Sequence, residues 1–260
     1  MEKLSYWKKE KLLPKENDYI WNIPEQKSGS VAIIGGNSQN FSSVIRSGEY
    51  IFQNYPIKDL KIVMPDSLKN KVPPVPGTIF CPSTESGSLA DSPLLKSSVK
   101  AADMSIFIGD LSHNSATSVA IANTIKETEG PVLLARDSID ILLSEMNDII
   151  EKDNLFIIAS MAQLQKLFRA VYYPKVLLLS MPLMPVVEAL HKFTLSYSLT
   201  ILTFHEGQII VAQNGKVIST PIEDTNYTPL SLWMGTLAMK IAAMNLYNPG
   251  EALEATFAAI

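Results

Sequence analysis

Four apolar residues, Val31-Ala-Ile-Ile34, run straight into Gly35-Gly36-Asn37. A polar turn through Gln39, Asn40, Phe41 and Ser42 follows, and then a helix-like segment, Ser43–Phe52. A buried strand that stops at glycines and hands over to a helix leaves backbone N–H groups at the strand's carboxyl end. The helix dipole adds positive potential there, so the turn suits an anionic group. This makes Gly35, Gly36, Asn37, Phe41 and Ser42 the first candidate ligand contacts. A plainer reading stands beside it. Gly35-Gly36 also fits a strand-to-helix turn that needs positive φ, and Asn37 and Asn40 fit residues that bond their own backbone.

Other residues of chemical type are scattered. His113 follows Gly109 at the end of a second apolar run, where it is either a ligand contact or a polar helix entry. His205 lies beside Glu206 in a hairpin turn, either as an exposed pair or as a nucleotide contact. His191, on a helical stretch, is expected at the surface. Three separated histidines and one cysteine have no metal-ligand spacing, so no metal site is expected. Cys81 precedes Pro82 and has no histidine near it in sequence, which fits a strand-end residue better than a nucleophile.

These residues need a framework, and the chain can build one. It has 260 residues, 47% of them hydrophobic and 18% charged, enough for one large core. A formal net charge of −4 argues against nucleic acid as a partner. No stretch reaches the roughly 18 unbroken apolar residues of a membrane span, and no signal-type segment is seen. With its single cysteine, the chain reads as cytoplasmic. Residues 1–22, locally basic but diluted by Glu2, Glu10 and Glu16, read as a solvated N-terminal arm before one domain over 23–260.

Short apolar runs alternate with amphipathic stretches. Strands are expected at Val31–Ile34, Asp59–Met64, Thr78–Phe80, Met104–Ile108, Val132–Leu134, Leu155–Ile158, Val176–Leu179, Thr200–Phe204 and Gln208–Ala212. Helices are expected between most of them, at Val44–Asn54, Ser115–Glu127, Ser138–Glu145, Ala162–Val171 and Pro185–Phe193. That alternation predicts an α/β fold with a parallel sheet covered on both faces. Hairpin signals at His205-Glu-Gly207 and Asn214-Gly215 add an antiparallel edge. A long helix over Leu230–Leu246 and a last one from Pro249 close the chain. The proline-rich region Asn70–Ser98 reads as irregular, a lid or an oligomer contact.

With these elements in order, the chain resembles the ribokinase-like superfamily, and more narrowly the ADP- or ATP-dependent NAD(P)H-hydrate dehydratases. Ile23-Pro24, Lys27-Ser-Gly29, Val31–Ile34 and Gly35-Gly36-Asn37 follow the family's opening block. Ala102–Gly109 and Leu133–Leu142 resemble its next two blocks, a strand entering Gly-Pro-Gly-Leu-Gly and Val-Leu-Asp-Ala-Asp-Ala-Leu-Asn-Leu-Leu. The resemblance implies a three-layer α/β/α sandwich. It also implies an activity in which ADP or ATP phosphorylates the hydroxyl on the ring of a hydrated nicotinamide dinucleotide, and elimination of that phosphate restores the cofactor.

The resemblance divides the candidate residues between two halves of one pocket. Gly35, Gly36, Asn37, Phe41, Ser42, Asp110 and His113 fall on the dinucleotide side, and His205, Thr228 and Ser231 on the adenine-nucleotide side. The family's nucleotide turn, Gly-Thr-Gly-Asp, reads Thr228-Pro-Leu-Ser231, which places Ser231 at the position of the aspartate base. Pro229 has no N–H to give, and a serine hydroxyl is a poor base without a partner. The family's His and Glu at another strand end become Ser160 and Gln163, and its Lys-Gly becomes His205-Glu206. Gly-Pro-Gly-Leu-Gly becomes Gly109-Asp-Leu-Ser-His113. Asp137 matches an aspartate of the family and also suits an N-cap. Two functions follow: a degenerate ligand-binding or scaffolding relative, or an active dehydratase with substituted residues. A homo-oligomer is left open.

Overall fold

The computed structural model describes residues 5–8, 23–73 and 75–260. The central sheet has the strands β1 (Ser5–Lys8), β2 (Ser28–Gly35), β3 (Ile57–Pro65), β4 (Thr78–Cys81) and β5 (Met104–Gly109). It continues with β6 (Val132–Ala135), β7 (Leu155–Ile158), β8 (Leu199–His205), β9 (Gln208–Gln213) and β10 (Lys216–Pro221). Their order is β1-β10-β9-β8-β7-β6-β5-β2-β3-β4. Among the pairings of the sheet's described strands, β8–β9 and β9–β10 are antiparallel and the others parallel, so the antiparallel element lies towards one edge as expected.

Alternation along the strands sorts side chains to two cores. Val31 and Ile33 of β2 enter one, beside α1 (Ser42–Asn54), α9 (Thr236–Tyr247) and α10 (Ala252–Ala258). Ala32 and Ile34 enter the other, beside α2 (Pro93–Lys100), α3 (Ser115–Lys126), α6 (Met161–Ala170) and α7 (Leu183–Ser196). Between β6 and β7 lie the short helices α4 (Asp137–Ile141) and α5 (Met146–Ile149). The result is the three-layer sandwich of a doubly covered sheet.

Four expectations are corrected. Val176–Leu179 forms no strand, because β7 pairs directly with β8 and leaves no slot. Leu177 is buried while Val176, Leu178 and Leu179 face solvent. Asn70–Ser98 is not irregular to its end, since α2 starts at Pro93 with the Ser92 hydroxyl accepting the Leu95 N–H. The long terminal helix breaks at Gly235 (φ +81°) into α8 (Ser231–Met234) and α9. Ser5–Lys8 is not a solvated arm but an edge strand parallel to β10, tied by Tyr6 Oη to Ser219 Oγ at 2.9 Å. The rest of the expected arm lies outside the described residues.

Candidate functional site

The carboxyl ends of β2, β5, β6 and β7 converge on one polar network. At the end of β2 the glycine pair serves the backbone. A Cβ on Gly35 would lie 2.3 Å from the Gly109 carbonyl oxygen, so only glycine lets β2 and β5 meet there. The Gly36 N–H donates to that same oxygen at 3.0 Å. Gly36 turns the chain at φ +91° against Leu68 and Phe41.

Asn37 is the turn-former of the two readings. Its Oδ1 accepts the Gln39 and Asn40 N–H groups at 2.8 and 3.1 Å, and its Nδ2 donates to the Asp110 carbonyl at 2.7 Å. Phe41 precedes α1 and offers it no side-chain cap. Ser42 is exposed, and its hydroxyl accepts Arg46 Nη2 at 3.3 Å.

Asp110 supplies what α1 lacks. Held at φ +56°, it places Oδ2 3.0 Å from the Ser43 N–H on the first helical turn. Its Oδ1 pairs with Arg136 Nη2 at 3.2 Å, and both side chains are nearly buried, at 11% and 14% exposure. Its own N–H donates to Asp137 Oδ1 at 3.1 Å. Asp137 therefore does not cap α4; its carboxylate packs on Gly109, where a Cβ would be 1.9 Å away. His113 is exposed, and Asn114 rather than His113 caps α3, accepting the Thr117 N–H at 2.8 Å.

Arg136 escaped the sequence reading. It ends β6 in a left-handed conformation (φ +58°), and its carbonyl accepts Gln163 Nε2 at 2.7 Å. Gln163 and Ser160 form the capping box of α6. The only local signal was one charged residue between an apolar strand and a helix. Its meaning depends on β5 and β6 being neighbours.

The other half of the expected pocket is built differently. The Ser231 hydroxyl accepts the Thr228 N–H at 3.1 Å, and the Ser231 N–H returns to the Thr228 carbonyl at 2.8 Å. Around this turn Leu230, Trp233 and Met234 are exposed. Gly235 carries the contact with the first half: a Cβ there would lie 2.9 Å from Ser47 Oγ of α1. His205 and Glu206 do not form an exposed pair. His205 is buried with Nε2 2.6 Å from the Met181 carbonyl, and Glu206 Oε2 accepts the Leu183 N–H at 2.8 Å. Both anchor the entry to α7. His191 is likewise buried, its Nδ1 bonded to the Gly215 carbonyl.

Cys81 is buried, and burial with the neighbouring Asp66 charge pushes its thiol up to about 11, which removes nucleophilic character. Among the described residues no group of side chains is arranged to hold a metal, and no helix is long and apolar enough to cross a membrane. Among the described residues, cavities of about 350, 280 and 270 Å³ are lined by Asp103 and Tyr247, by Phe52 and Val75, and by Gln213 and Glu254, and none of them is lined by residues of this network.

The whole-chain architecture is that of the ribokinase-like proteins. A ribokinase-like superfamily protein from Enterococcus faecalis matches 100% of this chain and 86% of its own, at TM-score 0.64 and 14% identity. The ADP/ATP-dependent NAD(P)H-hydrate dehydratase from Bacillus subtilis, co-crystallized with ATP/Mg2+, matches 100% of this chain and 87% of its own, at 0.58 and 12%. A hydroxyethylthiazole kinase from Pyrococcus horikoshii matches 95% and 82%, at 0.57 and 11%. These likenesses establish the fold. No family model and no curated protein matches the sequence.

Proposed function

We propose that this chain is a catalytically degenerate relative of the NAD(P)H-hydrate dehydratases, one that binds a ligand or partner without turning it over. The observation that carries this reading is the Asp110 carboxylate on the first turn of α1. It occupies the backbone N–H that an anionic ligand would use, and Arg136 holds it there. The second support is Ser231, which stands where the family pattern has its base and whose hydroxyl is engaged by the Thr228 amide. Loss of a general base removes ~10²–10⁴ in rate. Loss of a preorganised donor removes roughly 10²–10³ more, so the two together leave little catalysis.

The ligand suggested is an adenine nucleotide or a nicotinamide dinucleotide, in a cytoplasmic protein. The test is direct. The chain is incubated with hydrated NADH, Mg2+ and ADP or ATP, and dihydronicotinamide absorbance is followed. No recovery above the uncatalysed rate is expected, while NADH or a nucleotide raises Tm by linkage. Turnover that disappears in Ser231→Ala overturns the reading in favour of an active dehydratase.

A further inference from the structure

The amino-terminal ends of the strands, opposite the polar network, hold the cavity of about 350 Å³. It lies where Ser28 opens β2, Asp103 precedes β5, Asn154 precedes β7 and the carboxyl end of α9 meets α10. Its size falls within the range of about 300–1,000 Å³ typical of small-molecule sites. Phe156, Leu246 and Tyr247 supply apolar wall, and among the described residues no lysine, arginine or histidine lines it.

The free polar groups of this cavity are mostly acceptors. Asn245, which lines it, is 6% exposed, and both hydrogens of its Nδ2 are taken, by the Ile241 carbonyl at 2.9 Å and Thr256 Oγ1 at 3.0 Å. Because a carbonyl can only accept, the amide cannot flip, and Asn245 Oδ1 stays an acceptor that receives no hydrogen bond. Asp103 is held through Oδ2 alone, by the Ser30 N–H and hydroxyl at 2.8 Å each, which leaves Oδ1 unused. In a continuing helix the Asn245 carbonyl would receive the N–H of residue 249, but Pro249 has none. Helix α9 carries no basic residue in its last turn, so nothing in the helix offsets the negative end of its dipole. The Tyr247 hydroxyl is also buried without a partner. Buried acceptors left unpaired are costly, and each of these gains from a donor.

We infer that this cavity binds a small organic cation, a protonated amine whose N–H groups meet Asn245 Oδ1 and the Asp103 carboxylate and whose apolar body lies along Phe156 and Leu246. An ammonium brings the three donors that these acceptors lack, and the aromatic faces of the wall attract it further. An anion would meet a carboxylate and a helix carboxyl end with no side-chain cation to offset them. The site lies at the opposite end of the strands from Asp110 and Arg136, and it stands whether or not the degenerate-relative reading holds.

Phenethylammonium, phenethyl alcohol and hydrocinnamate share an aryl-alkyl body and differ in charge, so together they test the inference on the full chain. Each is titrated at constant ionic strength while the backbone amide resonances of Gly29, Asn154 and Tyr247 are followed. The amine is expected to shift these resonances saturably and to bind roughly ten- to a hundredfold more tightly than the acid, the size of one charge-assisted hydrogen bond. The alcohol should fall between them. Asp103→Asn keeps an acceptor for Ser30 and removes the charge, so it should weaken the amine about two- to fivefold and leave the alcohol unchanged. An amine that gives no saturable shift, binds no better than the acid, or moves Gly36 and Asp110 instead overturns the inference. Unchanged amine affinity in the folded variant overturns it too. If Asp103→Asn does not fold, the comparison of amine with acid on wild type decides alone.

Discussion

The two halves of the strand-end rim solve the same problem in opposite ways. In the first, contacts join residues far apart in sequence: Asn37 to Asp110 across 73 positions, Ser43 to Asp110 across 67, Arg136 to Asp110 across 26. In the second, the polar contact of Ser231 reaches three positions back, to Thr228. Asn37 is 8% exposed, whereas Leu230 is 65% exposed in the turn that carries Ser231. A site whose geometry is fixed from several strands keeps its shape when one contact is lost, and it can hold a ligand or imitate one. A site made by one local turn is held by whatever anchors that turn, here Gly235.

The comparison is most easily broken at the glycines. Alanine at Gly35 puts a methyl group 2.3 Å from a backbone oxygen and 2.9 Å from Val44 Cγ2, and the oxygen cannot move without parting β2 from β5. We expect Gly35→Ala to cost about 3 kcal/mol or more, at the upper end for overpacking. Gly235→Ala meets a positive φ and the end of a serine side chain that can rotate, so about 1–2 kcal/mol is expected. Urea titrations with unchanged slopes measure the difference. Equal costs would show that the second half is as tightly specified as the first.

How far the sequence foretold these halves differs for the same reason. The alternation Val31/Ile33 against Ala32/Ile34 was legible because strand period and face are local properties, and it led correctly to a doubly covered sheet. The glycine pair was legible as a turn. The Asp110–Arg136 pair was not, since its two members meet only once β5 and β6 are known to be adjacent. The helix break at Gly235 was hidden because apolar residues continue through it, from Leu232 to Leu237 and Ile241. Val176–Leu179 misled because an apolar run looks the same whether it fills a sheet or lies over a helix layer. Ser160 and Gln163, three positions apart ahead of an apolar-periodic helix, carried a readable capping box.

Side-chain deletions give a finer test than the glycines. Asn37→Ala removes three hydrogen bonds at once and leaves the Gln39 and Asn40 amides and the Asp110 carbonyl to find other partners near a buried position. At roughly 1 kcal/mol per bond, a loss of about 2–3 kcal/mol is expected. Ser231→Ala removes one bond within a turn whose return bond, Ser231 N–H to the Thr228 carbonyl, is backbone to backbone and survives. Its cost should stay near 0.5–1 kcal/mol. The two effects should also be additive in the double variant, because the residues share no hydrogen-bond partner. Coupling beyond about 0.5 kcal/mol would mean that the halves communicate, and the route open to them is the α1 face that carries Ser43 beneath Asp110 and Ser47 beneath Gly235. Additivity would leave the second half a surface turn that happens to border a built site.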